Sequence, residues 1–185
     1  LSRSVLPNSW IFSVMSALIK VASVRFSALE IVFYRGLFAT VTMGAWVALS
    51  GRSVWSHRMG RHASRSVVGV TAMSIWFYTI GVLPLGTAMM LNYTSPLFIA
   101  LIVTAAGWWA GRRVVGRGWL NAAIVASFVG VLLVLQPTAA RNHGHAFALG
   151  LLSGVLGALA LLQVRGLGRL GEPVWRTVFW FSATC

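Results

Sequence analysis

The sequence predicts an all-α fold, a polytopic bundle of membrane-spanning helices. Three observations carry that expectation. Of 185 residues, 58% are hydrophobic and only 9% are charged, whereas a soluble domain carries about 25% charged residues. The apolar residues gather into runs of about 20, the length a helix needs to cross a bilayer. Most basic residues fall in the short gaps between those runs, as in loops that set topology. Composition also excludes classes of chemistry. Glu30 and Glu172 are the two acidic side chains, aspartate is absent, and Cys185 is the single cysteine. Paired-acid hydrolysis, carboxylate-held magnesium or calcium, an aspartate-backed triad and a disulfide scaffold are therefore not expected. The net charge of +13 is spread over several loops rather than one face, so nucleic acid is not an expected partner.

Six spans and the opening of a seventh follow in order. The first, over 5–23, is predominantly apolar, carries Lys20 near its end and stops before Arg25. The second, over 28–49, carries Arg35 in its interior. The third, over 66–83, follows a basic loop and stops at Pro84-Leu85-Gly86. The fourth, over 87–110, contains the polar run Asn92-Tyr93-Thr94-Ser95-Pro96. The fifth, over 119–137, opens after Gly116-Arg117-Gly118 and closes at Pro137. The sixth, over 146–164, presents Gly150, Gly154 and Gly157 on one small-residue face, which lets helices approach closely. A seventh opens at Val174. None alternates with period two, so helices rather than barrel strands are expected.

Orientation follows from the loops. One side collects Arg3, Arg52, Arg58, Arg61, Arg65, Arg112, Arg113, Arg117, Arg165, Arg169 and Arg176, and the other Lys20, Arg25 and Arg141. Eleven against three places the N-terminus in the cytoplasm of a multi-pass inner (plasma) membrane protein. Trp10, Trp46, Trp108, Trp109, Trp119 and Trp175 fall near the same membrane face, as an interfacial belt would, whereas Trp76 lies mid-span. Residue 1 is Leu, and the last apolar run stops at Cys185 after a dozen residues. A portion of a longer protein is therefore expected, with further C-terminal helices.

Five spans separate the first helix from the sixth, so a repeat of that period is inverted. A faint trace of one exists. Lys20 precedes Glu30 and Phe33-Tyr34, and Gln163 precedes Glu172, Trp175 and Phe179-Trp180-Phe181. On Glu30 with Phe33-Tyr34-Arg35-Gly36-Leu37, on Leu83-Pro84 through Asn92-Tyr93-Thr94-Ser95-Pro96-Leu97-Phe98, and on Gly130-Val131-Leu132-Leu133-Val134 up to Pro137, the chain resembles the EamA-like branch of the drug/metabolite transporter superfamily. The resemblance implies ten helices in two inverted halves and export or exchange of a small metabolite by alternating access. Residues 1–138 would then be the first five-helix repeat, and 146–185 the start of the second. One departure is Gly111-Arg112-Arg113, where many members carry a Gly-Glu pair.

Charged groups inside a membrane cost about 2.5–3.5 kcal/mol each at a helix centre, so each needs a reason. Arg35 lies about eight residues into its span, roughly 12 Å deep. It is the first candidate for a substrate-binding cation, with a structural role on helix carbonyls as its alternative. Asn92 and Pro96 are the second candidates. Pro96 has no amide hydrogen, so the Asn92 carbonyl loses its helical partner and a polar notch results. Trp76 and Tyr78 are candidates for an aromatic wall. Lys20 and Glu30, each five residues from the turn at Arg25, are candidates for a salt bridge that gates the mouth or, at Glu30, couples protons; an interfacial pair with Lys20 snorkelling is the alternative. His57, His62, His143 and His145 are placed in loops, and His143-Gly144-His145 lacks the acid or thiol that a metal site needs. No cofactor is expected. Two rival readings are a half-size transporter acting as a dimer, against which the charge asymmetry argues, and a membrane-embedded lipid-modifying enzyme, for which no acid–base pair can be assembled.

Overall fold

The computed structural model describes the backbone of residues 5–109 and 140–185, with scattered positions between 119 and 133. All of the described elements are helices. They are α1 (Val5–Ala22), α2 (Ala28–Leu49), α3 (Met59–Val82), α4 (Leu85–Asn92), α5 (Ser95–Trp109), α6 (Ala140–Arg169) and α7 (Val174–Thr184). The expected fifth span falls largely outside the described residues, as do Arg3, Arg112, Arg113 and Arg117. Four stretches, Ala28–Leu49, Met59–Val82, Leu85–Gly107 and Gly144–Arg169, are 22 to 26 residues long and apolar enough to cross a membrane. At 1.5 Å per residue each covers about 33–39 Å, which spans a hydrocarbon core of about 30 Å. The chain is thus an all-α polytopic membrane bundle.

The α1–α2 hairpin turns through a capping box. Ser27 accepts from the Glu30 amide at 3.3 Å, and the Glu30 carboxylate accepts from the Ser27 amide at 2.7 Å. Two otherwise orphaned donors are satisfied by this exchange. At the other end of the bundle, α3 begins at Met59, seven residues before the expected start at 66. Arg61, His62 and Arg65 therefore belong to a helix rather than to a loop. The helix ends where Leu83 becomes extended, with ψ at 159°, because the residue before a proline is pushed out of the helical region.

The fourth crossing is broken, as its polar run foretold. Tyr93 and Thr94 form a turn between α4 and α5. Pro96 is the second residue of α5, within the first turn where a missing amide hydrogen costs nothing. The glycine face of α6 packs on this break. A Cβ at Gly154 would lie 2.8 Å from Thr94 Oγ1 and 3.3 Å from the Leu91 carbonyl. The sixth span is also longer than expected, since α6 includes His143 and His145.

Helix α3 is the centre of the bundle, packed against α1, α2, α4, α6 and α7. Its Trp76, Phe77 and Ile80 join Ile19 of α1, Val32 of α2, Leu91 of α4 and Ala146 of α6 in one core. By contrast α2 buries only Val32, Gly36 and Val47. Its outward face of Leu29, Phe33, Leu37 and Val41 is exposed, the disposition that a helix bordering lipid adopts.

Candidate functional site

A cavity of about 500 Å³ opens between all seven described helices, with α4 contributing its last residue, Asn92. Four residues singled out from the sequence line it: Arg35, Trp76, Asn92 and Pro96. Ser95 and Ser153 add hydroxyls, and Met15, Met73 and Phe181 add apolar wall. Arg35 is exposed at its edge and directs Nη1 at the Met73 sulfur. A thioether is a weak acceptor, so this contact leaves most of the guanidinium's donor capacity available.

The residue that sequence reasoning missed is Arg65, counted among the loop arginines. It lines the same cavity from α3. Its guanidinium lies 4.2 Å from the centre of the Phe181 ring. Gly69, one turn on, makes the room: a Cβ there would meet Arg65 Nη1 at 2.8 Å and the Phe181 ring at 3.0 Å. Two cations thus border one cavity, and no carboxylate lines it. The sequence does hold one signal for this, the four-residue spacing of Arg65 and Gly69 on one helix face.

Other expectations are altered by the geometry. Trp76 is buried against the cavity, but Tyr78 is 40% exposed and does not line it. Two residues of a helix turn through about 200°, so both rings cannot share a wall. The Asn92 carbonyl freed by Pro96 accepts from the Ser95 hydroxyl at 2.8 Å, and Thr94 Oγ1 donates to the Leu91 carbonyl at 2.6 Å. The break therefore satisfies its own backbone, and the notch presents side chains instead of a bare carbonyl.

The expected Lys20–Glu30 salt bridge is not formed. Lys20 Nζ donates to the carbonyls of Ile80 at 2.6 Å, Gly81 at 3.0 Å and Leu83 at 2.9 Å. It closes the C-terminal end of α3, where carbonyls lack helical donors and the helix dipole favours a cation. Glu30 is held locally by Ser27. Gating or proton coupling by this pair would require both residues to leave these partners.

The second acidic residue anchors the opposite, arginine-rich end. Glu172 accepts from Arg176 Nη1 at 2.8 Å and from the Ser56 hydroxyl, and His62 Nε2 lies 3.6 Å away. His62 is fully buried rather than on a loop. Gly171, at φ 81°, turns the chain out of α6 and sets Glu172 in place. Arg176 also donates to the Ser53 carbonyl at 3.1 Å, and Trp180 to that of Val54 at 3.0 Å. Hydrogen bonds from Ser56 and then Arg176 hold the Glu172 carboxyl down at about 2 from an ordinary 4.5. Around this junction Trp46 meets Trp175 with ring centres 6.0 Å apart, and Arg52 covers Trp46 at 5.0 Å.

The architecture is that of a multi-pass helical membrane protein with a cationic cavity among its helices, and the chain is similar to several known bacterial proteins. The chain is 30% identical over 176 residues to a pseudopaline exporter of Pseudomonas aeruginosa, across 95% of this chain and 60% of that protein. It is 32% identical over 124 residues to a riboflavin transporter of Rhizobium johnstonii, across 67% of this chain and 39% of that one. An S-adenosylmethionine uptake transporter of Rickettsia bellii is 23% identical over 146 residues, across 78% of this chain and 47% of its own length. No family model matches the chain, and no solved structure matches it. The chain is homologous to bacterial membrane transporters, and it spans about 60% of the length of the exporter. Each of these three relatives is named as a transporter rather than an enzyme.

Proposed function

We propose that this chain belongs to a transporter of the EamA-like branch of the drug/metabolite superfamily. In this reading residues 1–138 form one five-helix repeat, residues 146–185 open a second, inverted one, and a small metabolite crosses by alternating access between them. The N-terminus faces the cytoplasm of the inner membrane. Moving Arg65 from the loops into the cavity still leaves ten basic residues against three in support of that orientation. Arg35 holds a charged group of the substrate, Asn92 offers a hydrogen-bonding amide beside the break made by Pro96, and Trp76 shapes the wall.

The observation that carries this reading is the convergence of Arg35, Trp76, Asn92 and Pro96, drawn from three different crossings, on one cavity. The test is transport by the complete protein in proteoliposomes, assayed with pseudopaline, riboflavin and S-adenosylmethionine, the solutes for which three relatives are named. Saturable flux of at least one is expected. Arg35→Ala should lower that flux at least tenfold with membrane insertion unchanged. Full flux in an inserted Arg35→Ala protein would remove Arg35 from the site. Absence of flux for all three would count against transport of these solutes by this cavity.

A further inference from the structure

We propose that Arg65 and Arg35 together make the cavity a site for an anionic group, a carboxylate or a phosphate, carried by a water-soluble small molecule. The proposal rests on the transport reading and supplies its substrate class. Among the described residues, Arg65 Nε and Nη1 are buried without a hydrogen-bond partner. A guanidinium offers five donors in a planar fork that matches carboxylate and phosphate oxygens. Buried charges are normally paired, since an unpaired one is strongly disfavoured. Neither acidic residue of the chain is placed to pair with Arg65. Glu30 closes the capping box at the far end of α2, and Glu172 is engaged by Arg176 and Ser56.

The surroundings of Arg65 hold its charge in place without neutralising it. Phe181 covers one face of the guanidinium at 4.2 Å, which fixes the plane of the charge beside the cavity. Gly69 keeps the space beside Nη1 clear. Ser95 and Ser153 line the same cavity and supply further donors. An anion between the two arginines would supply the acceptors that Arg65 lacks among the described residues.

The experiment uses the complete protein in phosphatidylcholine nanodiscs and follows its thermal unfolding at constant ionic strength. The probes are benzoate, succinate and inorganic phosphate, with benzamide and succinamide as neutral controls. A ligand that binds the folded state raises the melting temperature in proportion to its occupancy. At least one anion is expected to do so saturably, and the neutral amides are not. Arg65→Gln should raise the half-saturating concentration about tenfold or more (about 1.4 kcal/mol). Arg65→Lys, which keeps the charge but loses the planar fork, should bind with an affinity between those of wild type and Arg65→Gln, and Gly69→Val, which displaces the guanidinium without altering the charge, should weaken binding as Arg65→Gln does.

One readout separates a binding residue from a structural one. Without ligand, Arg65→Gln should melt at or above the wild type, because it removes a partly buried charge whose Nε and Nη1 lack hydrogen-bond partners among the described residues. A variant that melts lower would show a structural partner for Arg65 and overturn the proposal. So would equal binding of anion and amide, no saturable effect of any probe, or an Arg65-dependent effect confined to added phosphatidylglycerol. Flux is measured separately in proteoliposomes. Flux with no preference for anions defeats this inference alone, whereas saturable anion binding without flux of any anion defeats the transport reading.

Discussion

At the scale of single residues, the two charges at the turn end of the bundle show how local geometry overrides depth. Lys20 and Glu30 lie at equal distances from Arg25, which suggested a pair. Each finds nearer partners. The Ser27-Ala28-Leu29-Glu30 pattern is a capping box visible in the sequence, and it accounts for Glu30 without Lys20. The partners of Lys20 were not legible, because the Ile80, Gly81 and Leu83 carbonyls lie 60 to 63 residues away. Lys20→Met keeps the length of the side chain and removes its donors. It should lower stability by about 1.5–3 kcal/mol, the worth of hydrogen bonds to a charged group, read from thermal unfolding in detergent. Glu30→Gln should cost less, since Ser27 still accepts from its amide. Equal stability of Lys20→Met and wild type would show that water serves those carbonyls as well.

At the scale of elements, the broken fourth crossing and the glycine face of α6 were both legible, because each is written in one contiguous stretch. Their mutual fit was not. Gly154 abuts Thr94 Oγ1, the Leu91 carbonyl and the Phe98 ring, whereas Gly157 has only the rotatable Ser95 hydroxyl at 3.2 Å. Gly154→Ala should therefore press its Cβ onto the Thr94 hydroxyl, which is held on the Leu91 carbonyl, and lower stability by about 1–3 kcal/mol. Gly157→Ala should be near neutral, because gained helix propensity of up to about 1 kcal/mol offsets a hydroxyl that can move. Equal melting of the two variants would mean that the contact is looser than the glycines imply. The start of α3 was misread for a related reason. Hydropathy began that span only at Ser66 because Arg61, His62 and Arg65 read as loop. A helix can carry such groups inward when partners come from elsewhere in the chain, here Glu172 beside His62 and Phe181 beside Arg65. Local pattern cannot show those partners, and so the candidate site was found with one of its two cations missing.

At the scale of the whole molecule, the arginine-rich end is tied by one carboxylate. Glu172 joins the loop before α3 through Ser56, α3 through His62 and α7 through Arg176, across up to 116 residues of sequence. Its carboxyl is held at about 2, first by the Ser56 hydroxyl and then by Arg176, against an ordinary 4.5. A depressed pKa in the folded state means stability that is fully present above the unfolded value and lost as pH falls through the folded one. Glu172 should therefore contribute no pH dependence to unfolding between about pH 6 and 8. Its contribution should fall away from about pH 4.5 down to about 2. Acid unfolding of most proteins blends many carboxylates, but this chain has two acidic side chains, and Glu30 belongs to an exposed cap. Comparing melting temperatures with a Glu172→Gln variant isolates the effect. The variant should melt lower at neutral pH, and the gap to wild type should close as pH falls through that window. Ser56→Ala, which removes the largest influence on the carboxyl, should make the loss begin at higher pH. A gap that stays constant down to pH 2 would show that the junction is held by its aromatic packing and backbone hydrogen bonds, with the carboxylate charge contributing nothing.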